Sequence, residues 1–229
     1  MAVAERYIRN LNALSEEDCE KLSAARIAVV GCGGLGGYVI ENLARIGVGF
    51  IRAIDGDVIE ESNLNRQLLS AEANLGIRKV EAACERIAAV NSSVELEACA
   101  EFLGEENAPE LLSGMDCVVD CLDDLEARFW LAHAAGQLGV PVVYGAIAGW
   151  FGQVCTVFPG DVSFATVYGQ VEGTSLHEEL GNLPFTAQAV SALQAAEAVK
   201  IVTGCGDPLQ NRLLMLDLLG GSAEEIELS

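Results

Sequence analysis

The sequence predicts an α/β fold with a doubly wound, mostly parallel sheet and an antiparallel C-terminal extension. Three observations carry that expectation. Short apolar runs alternate along the chain with stretches of helical periodicity, the pattern of a parallel sheet covered on both faces. The first such run, Arg26 to Val30, leads directly into a glycine-rich turn, Gly31 to Gly36 (GCGGLG), that opens a helix. The 229 residues, 51% of them hydrophobic, suffice for one large core, so residues 1–229 read as a single unit.

The elements follow in order. Residues 1–24 hold two short polar helices, Tyr7 to Leu14 and Glu16 to Ala24. The core spans 25–158. After the first strand and its turn, Leu35, Val39, Leu43 and Ile46 share one helical face, which stops at Gly47. Phe50 to Ile54 is a second strand closed by Asp55 and Asp57, completing a βαβ unit. A polar loop, Ser62 to Gln67 (SNLNRQ), leads to a helix over 77–90 with Val80, Cys84 and Ile87 as its buried stripe. Val94 to Ala98 and Asp116 to Cys121 are the third and fourth strands. Asp123 sits just past the fourth, and Leu125 to Leu138 is the next helix. Val140 to Tyr144 is the fifth strand, and Gly152 to Phe158 begins the antiparallel extension. Residues 159–184 form an irregular crossover loop. Residues 185–229 supply a long helix, Phe185 to Thr203, and closing strands at Leu213 to Leu218 and Glu224 to Leu228.

Composition narrows the function. Thirteen basic residues stand against 34 acidic ones, a net charge of −21. Nucleic-acid binders show the opposite balance, and anionic membrane surfaces are disfavoured for the same reason. The uncharged run from Phe129 to Gly160 is broken by Pro141 and several glycines, so it reads as helix and strands in a core rather than a membrane span. The first 20 residues lack the apolar core of a signal peptide, and a cytoplasmic location is expected. The eight cysteines include no CxxC pair, so no Cys-rich zinc site is expected, and disulfides are not expected in a cytosolic protein.

The turn Gly31 to Gly36 fits G-x-G-x-x-G at Gly31, Gly33 and Gly36, with Gly34 inside it. Such a Rossmann-like turn lets backbone approach a phosphate at a helix N-terminus. Asp55, 19 residues after Gly36, stands where a ribose-binding acid is expected. The turn alone does not separate NAD from ATP. The charged residues near other strand ends favour ATP: Asn63, Arg66 and Gln67 after the second strand, Lys79 opening the next helix, and Asp123 after the fourth strand. Two cations and a carboxylate beside a glycine turn suit a triphosphate with Mg²⁺, whereas a nicotinamide wants an apolar pocket. An NAD-dependent oxidoreductase remains the alternative enzyme reading, and a nucleotide-binding scaffold that docks a carrier without activating it is the non-catalytic one.

With these residues in hand, the chain resembles the ThiF/MoeB/HesA adenylyltransferases, relatives of the adenylation domain of ubiquitin-activating enzymes. The matching stretches are RYIRN (Arg6 to Asn10), GCGGLG, IDGDVIEESNLNRQ (Ile54 to Gln67), GIRK (Gly76 to Lys79), VVDCLDD (Val118 to Asp124) and LQAAEAVKIVTG (Leu193 to Gly204). The resemblance implies that ATP activates the C-terminal carboxylate of a small ubiquitin-like sulfur-carrier protein ending in Gly-Gly, giving an acyl-adenylate and pyrophosphate. It implies that Asp55 holds the ribose, Arg66 and Lys79 bind phosphates and Asp123 holds Mg²⁺. It also implies a homodimer in which Arg9 reaches the partner's active site. Adenylation of a carboxylate on a tRNA base or a peptide is a further possibility, with the acidic surface disfavouring tRNA.

The chain departs from many relatives in two places. Residues 159–170 and the C-terminal tail lack paired CxxC motifs, so no structural zinc is expected. The loop over 171–184 has no cysteine, so the protein is expected to stop at the acyl-adenylate and leave sulfur to a separate donor. Cys155 is expected to face the core, Cys205 is the one outlying thiol, and His133 and His177 read as structural or surface residues.

Overall fold

The computed structural model describes residues 3–161, 166–167 and 179–228. One eight-stranded sheet runs through it in the order β3-β2-β1-β4-β5-β6-β7-β8. The strands are β1 (Arg26–Val30), β2 (Phe50–Ile54), β3 (Glu95–Cys99), β4 (Cys117–Asp120), β5 (Val142–Ala148), β6 (Phe151–Val157), β7 (Arg212–Asp217) and β8 (Ser222–Glu227). The first five pair in parallel, and the last three add antiparallel strands beyond β5. The expected mostly parallel sheet with its antiparallel extension is therefore the observed architecture.

Alternation along the parallel strands sends side chains into two cores. Ile27, Val29, Ile51, Ala53 and Val119 pack with α2 (Gly36–Ile46), α3 (Lys79–Val90) and α6 (Pro184–Thr203). Ala28, Val30, Ile54 and Val118 pack with α4 (Ala108–Leu112) and α5 (Leu125–Leu138) on the other face. A strand buried on both sides has no room for polar residues in its middle, so functional groups collect at its ends. Chain order runs outward from β1 to β3 and then returns to β4 on the far side of β1. The crevice between the C-terminal ends of β1 and β4 is thus the switch point where such sheets bind ligands.

Several expectations need correction. The N-terminal segment Glu5–Asn10 is a 3-10 helix rather than an α-helix to Leu14; the backbone turns at Asn12, where φ is 79°. The next helix, α1 (Glu16–Ala24), lies as expected, opened by a reciprocal Ser15–Asp18 capping box. Cys84 is half-buried, and Ala82 and Ala83 join Val80 and Ile87 in the buried stripe of α3. The short helix α4 was not anticipated. β5 extends four residues beyond Tyr144 because its second half pairs with β6, Gly145 with Val154 through Ala148 with Phe151. Most of the expected crossover loop, including His177, lies outside the described residues. Among the described residues no helix is long and apolar enough to cross a membrane.

Candidate active site

The glycine turn is built by two kinds of contact. Gly31 has φ 89°, and a Cβ there would stand 2.6 Å from the Cys121 carbonyl oxygen, so only glycine fits between β1 and β4. At Gly36 a Cβ would fall 1.8 Å from the Gly31 carbonyl oxygen, which fixes how closely α2 approaches its own strand. Gly33 and Gly34 differ. A Cβ on either would come no closer than 3.4 Å to protein atoms, an ordinary contact, yet both line the cleft. Their bare backbone therefore serves whatever enters the cleft. α2 begins without a side-chain cap; its Gly37, Tyr38 and Val39 amides already donate to the carbonyls of Gly33 and Leu35, so what it offers an anion is its positive dipole end.

Asp55, at the end of β2, holds this turn in place. One carboxylate oxygen accepts the Cys32 amide at 2.7 Å and the other accepts the Asp57 amide at 2.8 Å. Lys79 opens α3 and is buried. Its ammonium donates to Asp57 at 2.8 Å and lies 3.8 Å from Asp55. A buried ammonium needs a partner, and here the half-exposed Asp57 and the buried Asp55 side chain supply it. The stem of Arg66 packs beside Gly34, and its guanidinium donates to the Ser62 carbonyl and the Asn65 side chain, both at 3.0 Å. Gln67 is buried beside Gly33.

Three aspartates within five residues have three different roles. Asp120 is fully buried at the end of β4, 3.5 Å from the Arg128 guanidinium. Asp124 caps α5 by accepting the Ala127 amide at 2.7 Å. Asp123 lines the cleft, is exposed, and among the described residues has no hydrogen-bond or ion-pair partner. An uncommitted carboxylate beside a glycine turn at a helix N-terminus is of the kind that suits Mg²⁺, which takes one or two carboxylates together with phosphate oxygens and water.

The structure thus gathers Gly31, Gly33, Gly34, Asp55, Asp57, Arg66, Gln67, Lys79 and Asp123 around one cleft of about 790 Å³, within the roughly 300–1,000 Å³ typical of ligand sites. Three predicted site residues do not line it: Gly36, packed against the Gly31 carbonyl of its own turn, Asn63 and Arg9. Asn63 is buried behind the loop, where its side-chain oxygen accepts the Glu60 amide at 3.0 Å and its carbonyl accepts the amides of Arg66 and Gln67. Its contribution is to shape the loop that presents Arg66. Arg9 is exposed and does not line the cleft of its own chain. Its mount is firm, however: Tyr7 accepts a hydrogen bond from Asn91 at 2.7 Å, and Asn10 donates to the Ile46 carbonyl at 3.1 Å.

Sequence reasoning missed Arg128. It is buried, bonds the carbonyls of Leu122 and Gly145, and lies 4.9 Å from the centre of the Tyr144 ring. It ties the loop carrying Asp123 to β5. The available signal was Asp120 inside an otherwise apolar strand, since a buried carboxylate implies a buried cation. Cys121 also lines the cleft. Burial, aided by the neighbouring Asp120 charge, pushes its thiol well above the ordinary range, so it does not supply a thiolate.

A parallel α/β sheet with an anion-receiving glycine turn, two cations and an uncommitted carboxylate at its switch point defines a nucleotide-binding enzyme of the Rossmann type. The chain belongs to the ThiF family, whose model matches residues 6–229. It is 33% identical to the SAMP-activating enzyme E1 of Haloferax volcanii, over 97% of this chain and 84% of that protein. It is 35% identical to the sulfur carrier protein adenylyltransferase of Thermus thermophilus, over 97% and 86%. It spans about half, 49%, of the adenylyltransferase and sulfurtransferase MOCS3-1 of Zea mays, with 34% identity. Its fold is that of E. coli MccB crystallised with ATP, with a TM-score of 0.84 at 20% identity, covering 99% of this chain and 72% of the other.

Proposed function

We propose that this chain is an ATP-dependent adenylyltransferase that activates the C-terminal carboxylate of a ubiquitin-like sulfur-carrier protein ending in Gly-Gly. The observation that carries the reading is the convergence of Arg66, Lys79 and the uncommitted Asp123 on the bare backbone of Gly33 and Gly34. The names of the Haloferax and Thermus relatives supply the substrate class.

The chemistry asks little of the protein in proton transfer. A terminal carboxylate is ionised at neutral pH, its pKa being about 3.3–3.7. One of its oxygens bonds to the α-phosphorus of ATP, the bond from that phosphorus to the bridging oxygen breaks, and pyrophosphate leaves with the electron pair. The obstacle is one anion approaching another. Arg66 and Lys79 offset the phosphate charge, Lys79 exchanging Asp57 for a phosphate oxygen, and the glycine turn with the positive end of α2 behind it orients the chain of phosphates. Mg²⁺, held by Asp123, adds charge neutralisation and alignment when bound.

The carrier is received on the antiparallel side. The cleft continues from the glycine turn to Phe151, Gln153 and Met215 on β6 and β7. Strand pairing extends that face to Leu213 on β7 and Ile226 on β8. A tail threading from this face meets the α-phosphate with its carboxylate leading. The product is an acyl-adenylate, since the thiol lining the cleft among the described residues is the inactive Cys121, and a separate donor supplies sulfur. Arg9 and the exposed Ile8 beside it form part of a homodimer contact through which Arg9 serves the neighbouring cleft.

The test is ATP–pyrophosphate exchange with candidate carriers ending in Gly-Gly, together with thermal shifts against ATP·Mg²⁺ and NAD. Carrier-dependent exchange with stabilisation by ATP alone is expected; stabilisation by NAD alone would replace this reading with the oxidoreductase one. Mixed Arg9→Ala and Asp123→Ala proteins should recover part of the exchange through hybrid dimers, and no recovery removes the trans role of Arg9.

A further inference from the structure

Phe102 stands on the rim of the cleft, three residues beyond β3, and is 70% exposed. A ring so exposed contributes little to the core, yet its setting is fixed. Its carbonyl accepts a hydrogen bond from Asn107 Nδ2 at 3.0 Å, while Asn107 Oδ1 accepts the Gly104 amide at 2.8 Å. One side chain thus locks the turn that presents the ring.

The ring also has a seat. A Cβ on Gly56 would fall 2.6, 2.7 and 2.8 Å from Cδ2, Cε2 and Cγ of Phe102. Three neighbouring ring atoms at nearly equal distance mean that the ring presents its face, not its edge, to the Gly56 backbone. Any side chain at position 56 would lift it. Gly56 directly follows Asp55, the acid beside the glycine turn. One face of Phe102 is therefore covered by backbone, and the ring is otherwise open toward a cleft that Leu103 and Leu122 also line.

We propose that Phe102 is a stacking platform for the base of the bound nucleotide, and that Gly56 is the space that lets the ring lie flat. The inference rests on the nucleotide reading above. With phosphates over Gly33 and Gly34 and ribose at Asp55, the base extends away from the phosphates, toward the rim that carries Phe102. A flat aromatic face offers stacking without hydrogen-bond readout. It therefore adds affinity for the base while leaving the triphosphate contacts untouched.

The experiment is calorimetric titration of the full chain with ATP·Mg²⁺ and, as a probe lacking a base, with inorganic tripolyphosphate. Phe102→Ala is expected to weaken ATP binding on the order of tenfold, leave tripolyphosphate binding unchanged and leave Tm unchanged. Phe102→Trp should restore ATP binding. Gly56→Ala should weaken it with the aromatic residue still present. In steady state the loss should appear in KM for ATP with kcat preserved, because stacking is equal in ground and transition states. Wild-type ATP affinity in Phe102→Ala overturns the proposal, as does an equal loss for tripolyphosphate. If the wild-type chain binds neither probe, it is the nucleotide reading itself that fails.

Discussion

The two halves of the sheet solve opposite problems. In the parallel half, β1, β2 and β4 are buried except at Arg26 and Arg52, because helices cover both faces. Polar chemistry is driven to the strand ends, where Asp55 and Asp123 meet the glycine turn. In the antiparallel half, α6 covers one face through contacts such as Val190 against Gly152. β7 is half-buried along its length and β8 is exposed throughout. One half is a rigid frame for small charged groups, and the other offers a surface. The acids on β8, Glu224, Glu225 and Glu227, also keep that edge strand from pairing with another chain. If the division is real, the halves should fail separately.

The largest separation comes from Asp123→Ala. Among the described residues this side chain has no partner, so its loss should leave Tm unchanged while carrier-dependent ATP–pyrophosphate exchange falls at least about 100-fold. A matching fall in Tm would mean that Asp123 belongs to the frame. On the other half, Met215→Glu puts a charge where the cleft meets the open face. It should raise KM for the carrier about tenfold, the scale of losing one well-packed apolar contact with a partner, and leave ATP affinity as it was. Equal losses for both substrates would merge the two regions into one.

This division also explains what could be read in the sequence. Gly31, Gly33, Gly36 and Asp55 were legible because their spacing is set by local geometry within one βαβ unit. Arg66 and Lys79 stood out because cations are scarce in a chain with 13 basic and 34 acidic residues, and both follow the second strand, whose end meets the glycine turn. The rest depends on distant pairing. β5 looked short because its last residues are strand only through β6. α4 spans five residues opened by Pro109, too brief for a periodicity to declare itself. Arg128 was one arginine at the edge of an uncharged run until the fold brought it to Asp120. Asn63 carried the right motif but turned inward, since its short amide is within reach of the Glu60 backbone. Phe102 gave no signal, because what makes it a platform is Gly56, 46 positions away in sequence.

The smallest effect probes the frame itself. Glu41 on α2 is buried and receives Arg86 of α3 at 2.9 Å and Arg45 of its own helix at 2.7 Å. Burial works to raise its pKa, but the hydrogen bonds from Arg86 and Arg45 outweigh it, and the net direction is down. A carboxyl titrating lower in the folded than in the unfolded chain stabilises the fold above its unfolded pKa, about 4.3. That contribution is lost as pH falls through the folded value. Both arginines are about half exposed, which limits the contribution to about 1 kcal/mol. Glu41→Gln should therefore lower Tm by about 2–4 °C at pH 7, with the gap to wild type closing below about pH 4. ATP affinity should not change, since Glu41 does not line the cleft. A gap that persists at low pH would assign the effect to lost packing rather than charge. A loss of ATP binding would show that the α2–α3 brace sets the position of Lys79, which opens α3, and that the frame and the site it holds cannot be separated.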